Sequence, residues 1–373
     1  MAGRAMFVSS ITRYGGGERW MCDAAAGLAQ RGHRVLAVVR PGSELERRMH
    51  SIGIDFVPVE MRGDLDPAAI LRVRSIARRF SPGAVCVNLD RELRISSLAL
   101  LLAGRHGRKR TRLIPRRGSE FPLKNNFHYR FVYTRFVDRV IANSHATKRT
   151  MLSTAPWFDP ARAAVIYNGI DPAVYDTLHP ERERLRSEFR RELGLSGEAL
   201  LAVLVGELTE RKGHRFIMEA AGEVIRAYPE TRFLFAGDGD ARGDIERHVR
   251  DGGLREHVRL LGFRDDIPRL LTAADILLLP SSVEGFGYVL AEAMAARLPV
   301  VATRASSTPE VVEEGVTGLL HEPGDSDGIG SHLMRLLGDA VLRGNMGEAG
   351  YNRVRERFHI DRMIDDIERL FFA

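Results

Sequence analysis

Short apolar runs alternate along the chain with longer segments whose apolar residues recur at helical spacing. Runs such as 34–39 and 84–88 are apolar at nearly every position, which is typical of strands buried on both faces. Segments such as 67–80 and 214–227 carry apolar residues three and four positions apart, which predicts amphipathic helices. This alternation indicates an α/β fold with parallel sheets.

The alternating pattern comes in two series. The first series closes at the turn signal Asn168-Gly169, and the polar, proline-marked stretch 171–180 is the best candidate for a linker. A second series of strands and helices follows it. We therefore expect two Rossmann-like domains facing across a cleft, over residues 1–170 and 171–355.

Composition places the chain among globular proteins. Its 373 residues are 44% hydrophobic, enough for a core in each domain, and no apolar run approaches the ~18 residues of a membrane span. Cys22 and Cys86 lack metal-ligand spacing and form no disulfide framework, which favours a reducing compartment.

Positive charge is concentrated in the first half of the chain. The net charge is +6, and arginines and a lysine cluster over residues 105–117. Such a cluster attracts phosphate-rich partners, whether a nucleotide, an anionic lipid or a nucleic acid. A solvated arginine-rich face is the alternative, and the sequence leaves both open.

The most informative stretch is 280–303, PSSVEGFGYVLAEAMAARLPVVAT. It follows an apolar run at 274–279 and contains a helix pattern that Pro299 ends. A helix N-terminus presents unpaired N–H groups and partial positive charge, so it attracts phosphate. Gly285 and Gly287 allow the backbone to approach a ligand closely. This junction is a candidate phosphate site.

Two carboxylates flank the candidate phosphate site. Glu284 precedes the predicted helix and Glu292 lies about two turns later, roughly 12 Å along the axis. That separation is too large for both carboxylates to act on one bond, since paired glycosidase carboxylates stand about 5–9.5 Å apart. A ligand with hydroxyls at both ends and phosphate between them, such as a nucleotide sugar, fits the pattern.

The stretch resembles the E-x7-E signature of the retaining GT-B glycosyltransferases of family 4, with Glu284 and Glu292 as its two glutamates. The resemblance implies that Glu284 contacts the donor sugar and that Glu292 binds the ribose hydroxyls. It also implies that a terminal helix, here residues 356–373, packs back on the first domain. The resemblance covers nearly the whole chain and is densest over residues 206–323.

Further residues of this chain match the donor site of the family. The segment from Gly206 to Gly213 resembles the family's diphosphate clamp, and Lys212 matches its lysine. Glu207 stands where the family has arginine, so either Arg211 or another arginine replaces that charge or the activity is weaker. The remaining matches, which the resemblance assigns to the donor, are Gly16, Gly17, Asn168, Phe263, Gly285, Phe286, Gly287, Tyr288 and Val289.

The acceptor side is expected in the first domain. Residues 115–122 read as a loop rich in charge and chain breakers, where many family members carry a histidine. Here Arg116 and Arg117 are the candidates to bind an anionic acceptor or the leaving phosphate. Asp238-Gly239-Asp240 imitates a metal motif, but a strand-to-helix turn that caps a helix is favoured. We expect no metal and no cofactor.

The resemblance implies a metal-independent, retaining glycosyltransferase of cell-envelope glycan or glycolipid synthesis, which we expect in the cytoplasm. Its expected partners are a nucleotide-sugar donor and a glycan or lipid-linked acceptor, with no specific nucleic acid. Peripheral contact with an anionic membrane stays open. The alternatives are a non-catalytic or weakly active nucleotide-sugar or nucleic-acid binding protein, and another GT-B reaction such as nucleotide-sugar epimerisation.

Overall fold

The computed structural model describes residues 2–12, 14–104 and 110–373 of the chain. The chain folds into two compact units, one comprising Met1–Gly169 with Ile360–Ala373 and the other comprising Ile170–His359. Residues 105–109, which hold three of the seven basic residues of the cluster noted in the sequence, lie outside the described residues.

The described part of the first unit contains a seven-stranded sheet in which all neighbours are parallel. The strands are β1 (Arg4–Val8), β2 (Arg34–Val39), β3 (Phe56–Pro58), β4 (Ala84–Val87), β5 (Arg112–Arg117), β6 (Val140–Ala142) and β7 (Ala163–Val165). They stand in the order β3-β2-β1-β4-β5-β6-β7. This is a doubly wound order that reverses between β1 and β4, where such sheets bind ligands.

Helices connect these strands and cover the sheet. They are α1 (Gly16–Gln30), α2 (Glu44–Ser51), α3 (Pro67–Phe80), α4 (Asp90–Ala103), α5 (Phe127–Arg135) and α6 (His145–Ser153). Several begin at a polar cap: the side chains of Ser43, Asn126 and Ser144 each accept a backbone N–H of the first turn. All four residues of β4 are buried, as its apolar run predicts.

The structure corrects the prediction of a loop over residues 115–122. Pro115, Arg116 and Arg117 belong to β5. Pro115 is the last residue of β5 paired with β4, and pairing with β6 begins only at Arg116. A proline that lacks an N–H is tolerated where one ladder ends and the next begins.

The second unit repeats the architecture, with a six-stranded parallel sheet among its described residues. Its strands are β8 (Leu200–Val205), β9 (Thr231–Ala236), β10 (Val258–Gly262), β11 (Ile276–Leu279), β12 (Val300–Thr303) and β13 (Gly318–His321). Their order is β10-β9-β8-β11-β12-β13, so the reversal falls between β8 and β11. The two units are therefore both Rossmann-like, as the sequence predicts.

Helices again separate the strands of the second unit. They are α7 (Ala173–Leu178), α8 (Arg182–Glu192), α9 (His214–Ala227), α10 (Arg242–Asp251), α11 (Ile267–Ala273), α12 (Tyr288–Ala295), α13 (Thr308–Val311), α14 (Ser326–Gly338) and α15 (Ala340–Arg357). Within the residues that the structure describes, none of the helices combines the length and apolar character needed to cross a bilayer.

The stretch predicted as a linker, 171–180, is helical in the structure. It contains α7 and the start of a 3-10 turn at His179–Glu181 that leads into α8. Two residues of this polar stretch make contacts with the rest of the fold. Tyr175 is buried, and Asp176 accepts a hydrogen bond from the Tyr351 hydroxyl at 2.9 Å. These contacts attach the segment to the second unit.

The last helix, α16 (Ile360–Phe372), belongs to the first unit and packs against α1. It begins later than the expected residue 356 because α15 continues to Arg357. At Gly27 of α1, a Cβ atom would lie 2.6 Å from Ile364, so a side chain there would push the helices apart. Glu368 accepts one hydrogen bond from Arg31 and contacts His33, each at 2.9 Å.

Candidate active site

Two loops of the second unit meet where its strand order reverses. The loop after β8 carries Gly206 and Lys212, and the loop after β11 carries Glu284. Gly213 has a φ of 71°, and a Cβ there would stand 2.2 Å from the carbonyl oxygen of Pro280. The close approach of the two loops therefore requires glycine at position 213.

Lys212 and Glu284 form a shielded ion pair at this junction. Their Nζ and Oε1 atoms are 2.5 Å apart, and the side chains are 11% and 10% exposed. The Ser307 hydroxyl donates to the Glu284 carbonyl oxygen at 3.0 Å, and the Lys212 stem passes Gly206, where a Cβ would lie 3.2 Å from Cε. The structure thus brings together two residues that the sequence singled out separately, in a charge-assisted contact.

The segment between the two glutamates combines a glycine turn with a short buried helix. Gly287 has a φ of 74° and precedes α12, and the Leu290 N–H in the first turn of that helix donates to the Gly287 carbonyl oxygen at 2.9 Å. Glu292 lies within α12 and is only 8% exposed. Phe286 is 2% exposed and packs edge-to-face on Phe358, with ring centroids 5.5 Å apart. The Phe286 ring is therefore part of the hydrophobic core, whereas Gly285 and Tyr288 are partly exposed.

Glu207 and Arg211 lie on the exposed part of the loop after β8. The Arg211 guanidinium donates to the carbonyl oxygen of Val283 at 2.8 Å, and its own carbonyl accepts the N–H of Ser282 at 3.0 Å. These bonds fasten Arg211 to the loop that carries Glu284. Arg211 is consequently a second cation, besides Lys212, that the fold holds within the predicted diphosphate clamp.

Two further predicted positions lie at other loop ends of this sheet. Phe263 follows β10, and its side chain is 81% exposed. Asp238 accepts the N–H of Gly239 at 2.9 Å and lies 3.7 Å from Arg242. The Asp-Gly-Asp turn thus leads from β9 to α10, but the residue at the helix cap is Ala241, without a side-chain bond. Among the described residues, no cluster of three or more His, Cys, Asp or Glu side chains could hold a metal ion.

In the first unit, the glycine turn after β1 is fastened to the turn after β4. Gly16 is the first residue of α1, and Glu18 accepts the Gly15 N–H at 3.2 Å. The side-chain amide of Asn88 donates to the Gly17 carbonyl at 3.1 Å. These turns flank the point where the first sheet reverses, which is the ligand position of a doubly wound sheet.

Sequence reasoning missed Glu92, a fully buried carboxyl group at the same place. One of its oxygens accepts the Ser10 N–H at 2.5 Å, and the other accepts the N–H groups of Asn88 and Leu89 at 2.9 Å. Burial raises the pKa of Glu92 to about 7, although these hydrogen bonds act to lower it. The available signal was an acid at the third position of α4, which begins at Asp90.

The two arginines assigned to the acceptor side have protein partners. Arg116 is 3% exposed, donates to Asn168 Oδ1 at 2.9 Å and lies over the Trp20 ring, 4.6 Å from its centroid. Its position between Asn168 and Trp20 indicates that it joins parts of the first unit. It also lines the cavity described next, so its role on the acceptor side stays a prediction.

Arg117 is less enclosed and lines a cavity of about 490 Å³ in the first unit. Its guanidinium donates to the Phe121 carbonyl at 2.8 Å and lies 3.6 Å from Asp90. The cavity opens beside the carboxyl ends of β4 and β5 and combines polar, cationic and aromatic groups: Asn88, Leu89, Asp90, Arg116, Arg117, Gly118, Ser119, Phe121, Pro122, Lys124 and Tyr129.

Two family models together match most of the chain. The model described as "Glycosyltransferase Family 4" matches residues 14–174, and the model described as "Glycosyl transferases group 1" matches residues 186–353. The matched segments include both reversal points and both glutamates of the E-x7-E pattern.

Two curated relatives match over nearly their whole length. The N-acetyl-alpha-D-glucosaminyl L-malate synthase of Bacillus anthracis is 27% identical over 365 residues, which are 92% of this chain and 90% of that protein. The lipopolysaccharide core biosynthesis glycosyltransferase LpsE of Rhizobium meliloti is 24% identical over 354 residues, 94% of each. These matches support sugar transfer and give no support to epimerisation or to a non-catalytic role.

A solved structure shows the same fold. Anabaena Alr3699/HepE, crystallised in complex with UDP, superposes with a TM-score of 0.84 at 22% identity, over 98% of this chain and 99% of that one. The strand orders, the family models and the relatives agree with one another. The chain belongs to the GT-B glycosyltransferases of family 4.

Proposed function

We propose that the protein transfers a sugar from a nucleoside-diphosphate sugar with retention of anomeric configuration and without a metal ion. The observation that carries this proposal is the Lys212–Glu284 pair, 2.5 Å apart where the second sheet reverses. The UDP complex of HepE, which shares the fold, supports a nucleoside diphosphate as the leaving group. Titration with different nucleoside diphosphates would identify the nucleobase of the donor.

Lys212 can bond Glu284, which would orient the sugar, and the leaving diphosphate at the same time. An ammonium group has three donors, and the Glu284 carboxylate occupies one of them. The others would offset charge on the leaving diphosphate, helped by the N–H groups at the start of α12. Arg211 would add positive charge from the loop edge in place of the arginine that Glu207 replaces. Glu292 would bind the ribose hydroxyls.

Glu284 is better suited to positioning than to proton abstraction, because its charge is already satisfied by Lys212. In the proposed step, the bond between the anomeric carbon and the diphosphate oxygen breaks. A bond from the acceptor oxygen to the same face of that carbon forms. The acceptor proton passes to the released diphosphate. Glu284 orients the sugar throughout, and the positive charge comes from Lys212 and the helix amides rather than from Mg²⁺.

The cavity beside Arg117 suggests an anionic acceptor. Arg117 and Lys124 both line it, and Ser119 and Tyr129 add hydrogen-bonding groups. L-malate, named in the Bacillus anthracis relative, is a dicarboxylate, and LpsE is named for lipopolysaccharide core synthesis. We therefore propose an acceptor that carries a carboxylate or phosphate on a glycan or a lipid carrier.

We place the reaction in the cytoplasm, where nucleotide-sugar transfer to a lipid-borne acceptor would occur at the inner membrane surface. Cys22 and Cys86 are both buried and free, which suits a reducing compartment. Peripheral contact with an anionic membrane is part of this proposal.

Calorimetric titration with UDP, GDP and ADP, without metal and then with Mg²⁺, tests the donor site. We expect tight binding of one nucleotide, unchanged by Mg²⁺ and weakened in Lys212→Ala. Lys124→Ala, in the other unit, is the matched control and should bind the nucleotide as wild type does. Absence of binding to any nucleotide would show that Glu207, in place of the family's arginine, prevents binding of the diphosphate. NMR of the product anomer tests retention, and inversion would contradict it.

A further inference from the structure

Large aromatic side chains are exposed on α5 of the first unit. Phe127 is 84% exposed and Phe131 is 49% exposed. They lie one helical turn apart, with their rings stacked at a centroid distance of 6.3 Å. Adjacent exposed aromatic rings are unusual on a protein that binds nothing there, because their hydration is unfavourable.

The exposed apolar surface continues onto the end of α4. Leu101 and Leu102 are 55% and 53% exposed. A cavity of about 400 Å³ between the ends of α4 and α5 is lined by Leu101, Arg135 and Phe136, among others. Phe131 contacts Phe136, with centroids 5.8 Å apart. The apolar positions of both helices therefore belong to one surface, which we call the α4–α5 face.

Arginines frame the α4–α5 face. Arg130 and Arg135 lie on α5 and are exposed, and α5 contains no acidic residue. Arg110 lines the same cavity and is 47% exposed in its side chain, 3.6 Å from Asp138. Arg74 of α3 donates to the Leu102 carbonyl at 3.1 Å, which holds its guanidinium beside the apolar pair. The face is thus apolar at its centre and mainly cationic around it.

We propose that the α4–α5 face docks on an anionic lipid bilayer, with Phe127 and Phe131 in the interface and the arginines against lipid phosphates. Aromatic rings favour the membrane–water boundary, and cations near an anionic leaflet add attraction. A second copy of the chain fits less well, because a symmetric contact would place like-charged arginines against each other. The inference rests on the proposed function in one respect: docking would bring the enzyme to a lipid-borne acceptor.

Vesicle co-sedimentation of the full chain tests this proposal, with phosphatidylcholine alone and with added phosphatidylglycerol. We expect binding only with the anionic lipid and release at high salt, since salt screens exposed charges. Phe127→Ser with Phe131→Ser should lower the partition coefficient by at least about tenfold. Arg130→Gln should lower it about fivefold.

Matched controls lie in the second unit. Val341→Ser removes an apolar side chain that is 73% exposed on α15, and Arg226→Gln removes an exposed cation on α9. Both should bind vesicles as wild type does. Circular dichroism confirms that the phenylalanine variant folds, and titration with the nucleotide that wild type binds should give an unchanged affinity. Loss of vesicle binding with intact nucleotide binding separates this proposal from the donor-site proposal.

Four results would overturn the inference. Equal binding to vesicles with and without anionic lipid is the first, and unchanged binding by the double phenylalanine variant is the second. The third is a change of oligomeric mass in that variant, measured by light scattering, with vesicle binding retained; the face would then join two copies of the chain. Salt-dependent binding to duplex DNA in place of vesicles would also reassign the face.

Discussion

The ammonium of Lys212 and the carboxylate of Glu284 lie 2.5 Å apart, although 72 residues separate them in the chain. The contact couples the proposed sugar site to the proposed diphosphate site. Glu284→Gln keeps the shape of the side chain but removes its charge, so we expect kcat to fall by about 10²–10³. Nucleotide affinity should stay near that of wild type.

Lys212→Ala should weaken nucleotide binding. A hydrogen bond from a charged donor contributes about 1.5–3 kcal/mol, so its loss should lower nucleotide affinity by roughly tenfold to a hundredfold. Glu210→Gln, an exposed change in the same 3-10 turn, is the control for both variants. Wild-type turnover by Glu284→Gln would refute the positioning role.

Gly213 is required by the contact between the two donor loops, whereas Gly194 is not. Both have left-handed φ values, 71° and 66°, but only at Gly213 would a Cβ meet the Pro280 carbonyl, at 2.2 Å. Gly194→Ala should therefore lower the free energy of unfolding by about 1 kcal/mol, and Gly213→Ala by more, because a collision is added to the strain. Urea unfolding measures both, and equal losses would contradict the expectation.

Glu92 should make stability depend on pH. Burial raises its pKa from an ordinary 4.5 to about 7, so the folded state binds the proton more tightly than the unfolded state does. Its contribution is fully present at low pH and is lost as the pH rises through about 7. The stability of wild type relative to Glu92→Gln should therefore fall between about pH 5 and about pH 8. A pH-independent difference would show that the group does not titrate in this range.

Arg116 and Arg117 should respond differently to mutation although they are neighbours. Arg116→Lys loses the bond to Asn168 and the contact with Trp20, so the free energy of unfolding should fall by about 1–3 kcal/mol. Arg117→Gln should instead raise the KM for an anionic acceptor about tenfold, because charge-assisted bonds are the stronger ones. Thermal melts and initial rates on both variants test the distinction. Equal effects on acceptor KM would reject it.

Fold class could be predicted because it follows from local patterns. The apolar runs at 84–87 and 276–279 are buried strands, and Asn126 and Ser144 cap helices as short-range chemistry predicts. Errors arose where a local signal competed with long-range packing. Pro115 indicated a loop but lies within β5, and the polar stretch from residue 171 folds as a helix because Tyr175 is buried.

The sequence by itself determined the two series of strands and helices and the loops that carry Gly206, Lys212 and Glu284. Periodicity, glycines and charges are local properties that a single chain displays directly. Only the tertiary structure decided which of these groups touch. The order of strands places β4 beside β1 and β11 beside β8. That order brings Glu92 to Ser10 and Glu284 to Lys212, across 82 and 72 residues of sequence. Such pairings depend on how buried strands pack side by side, which no local pattern specifies.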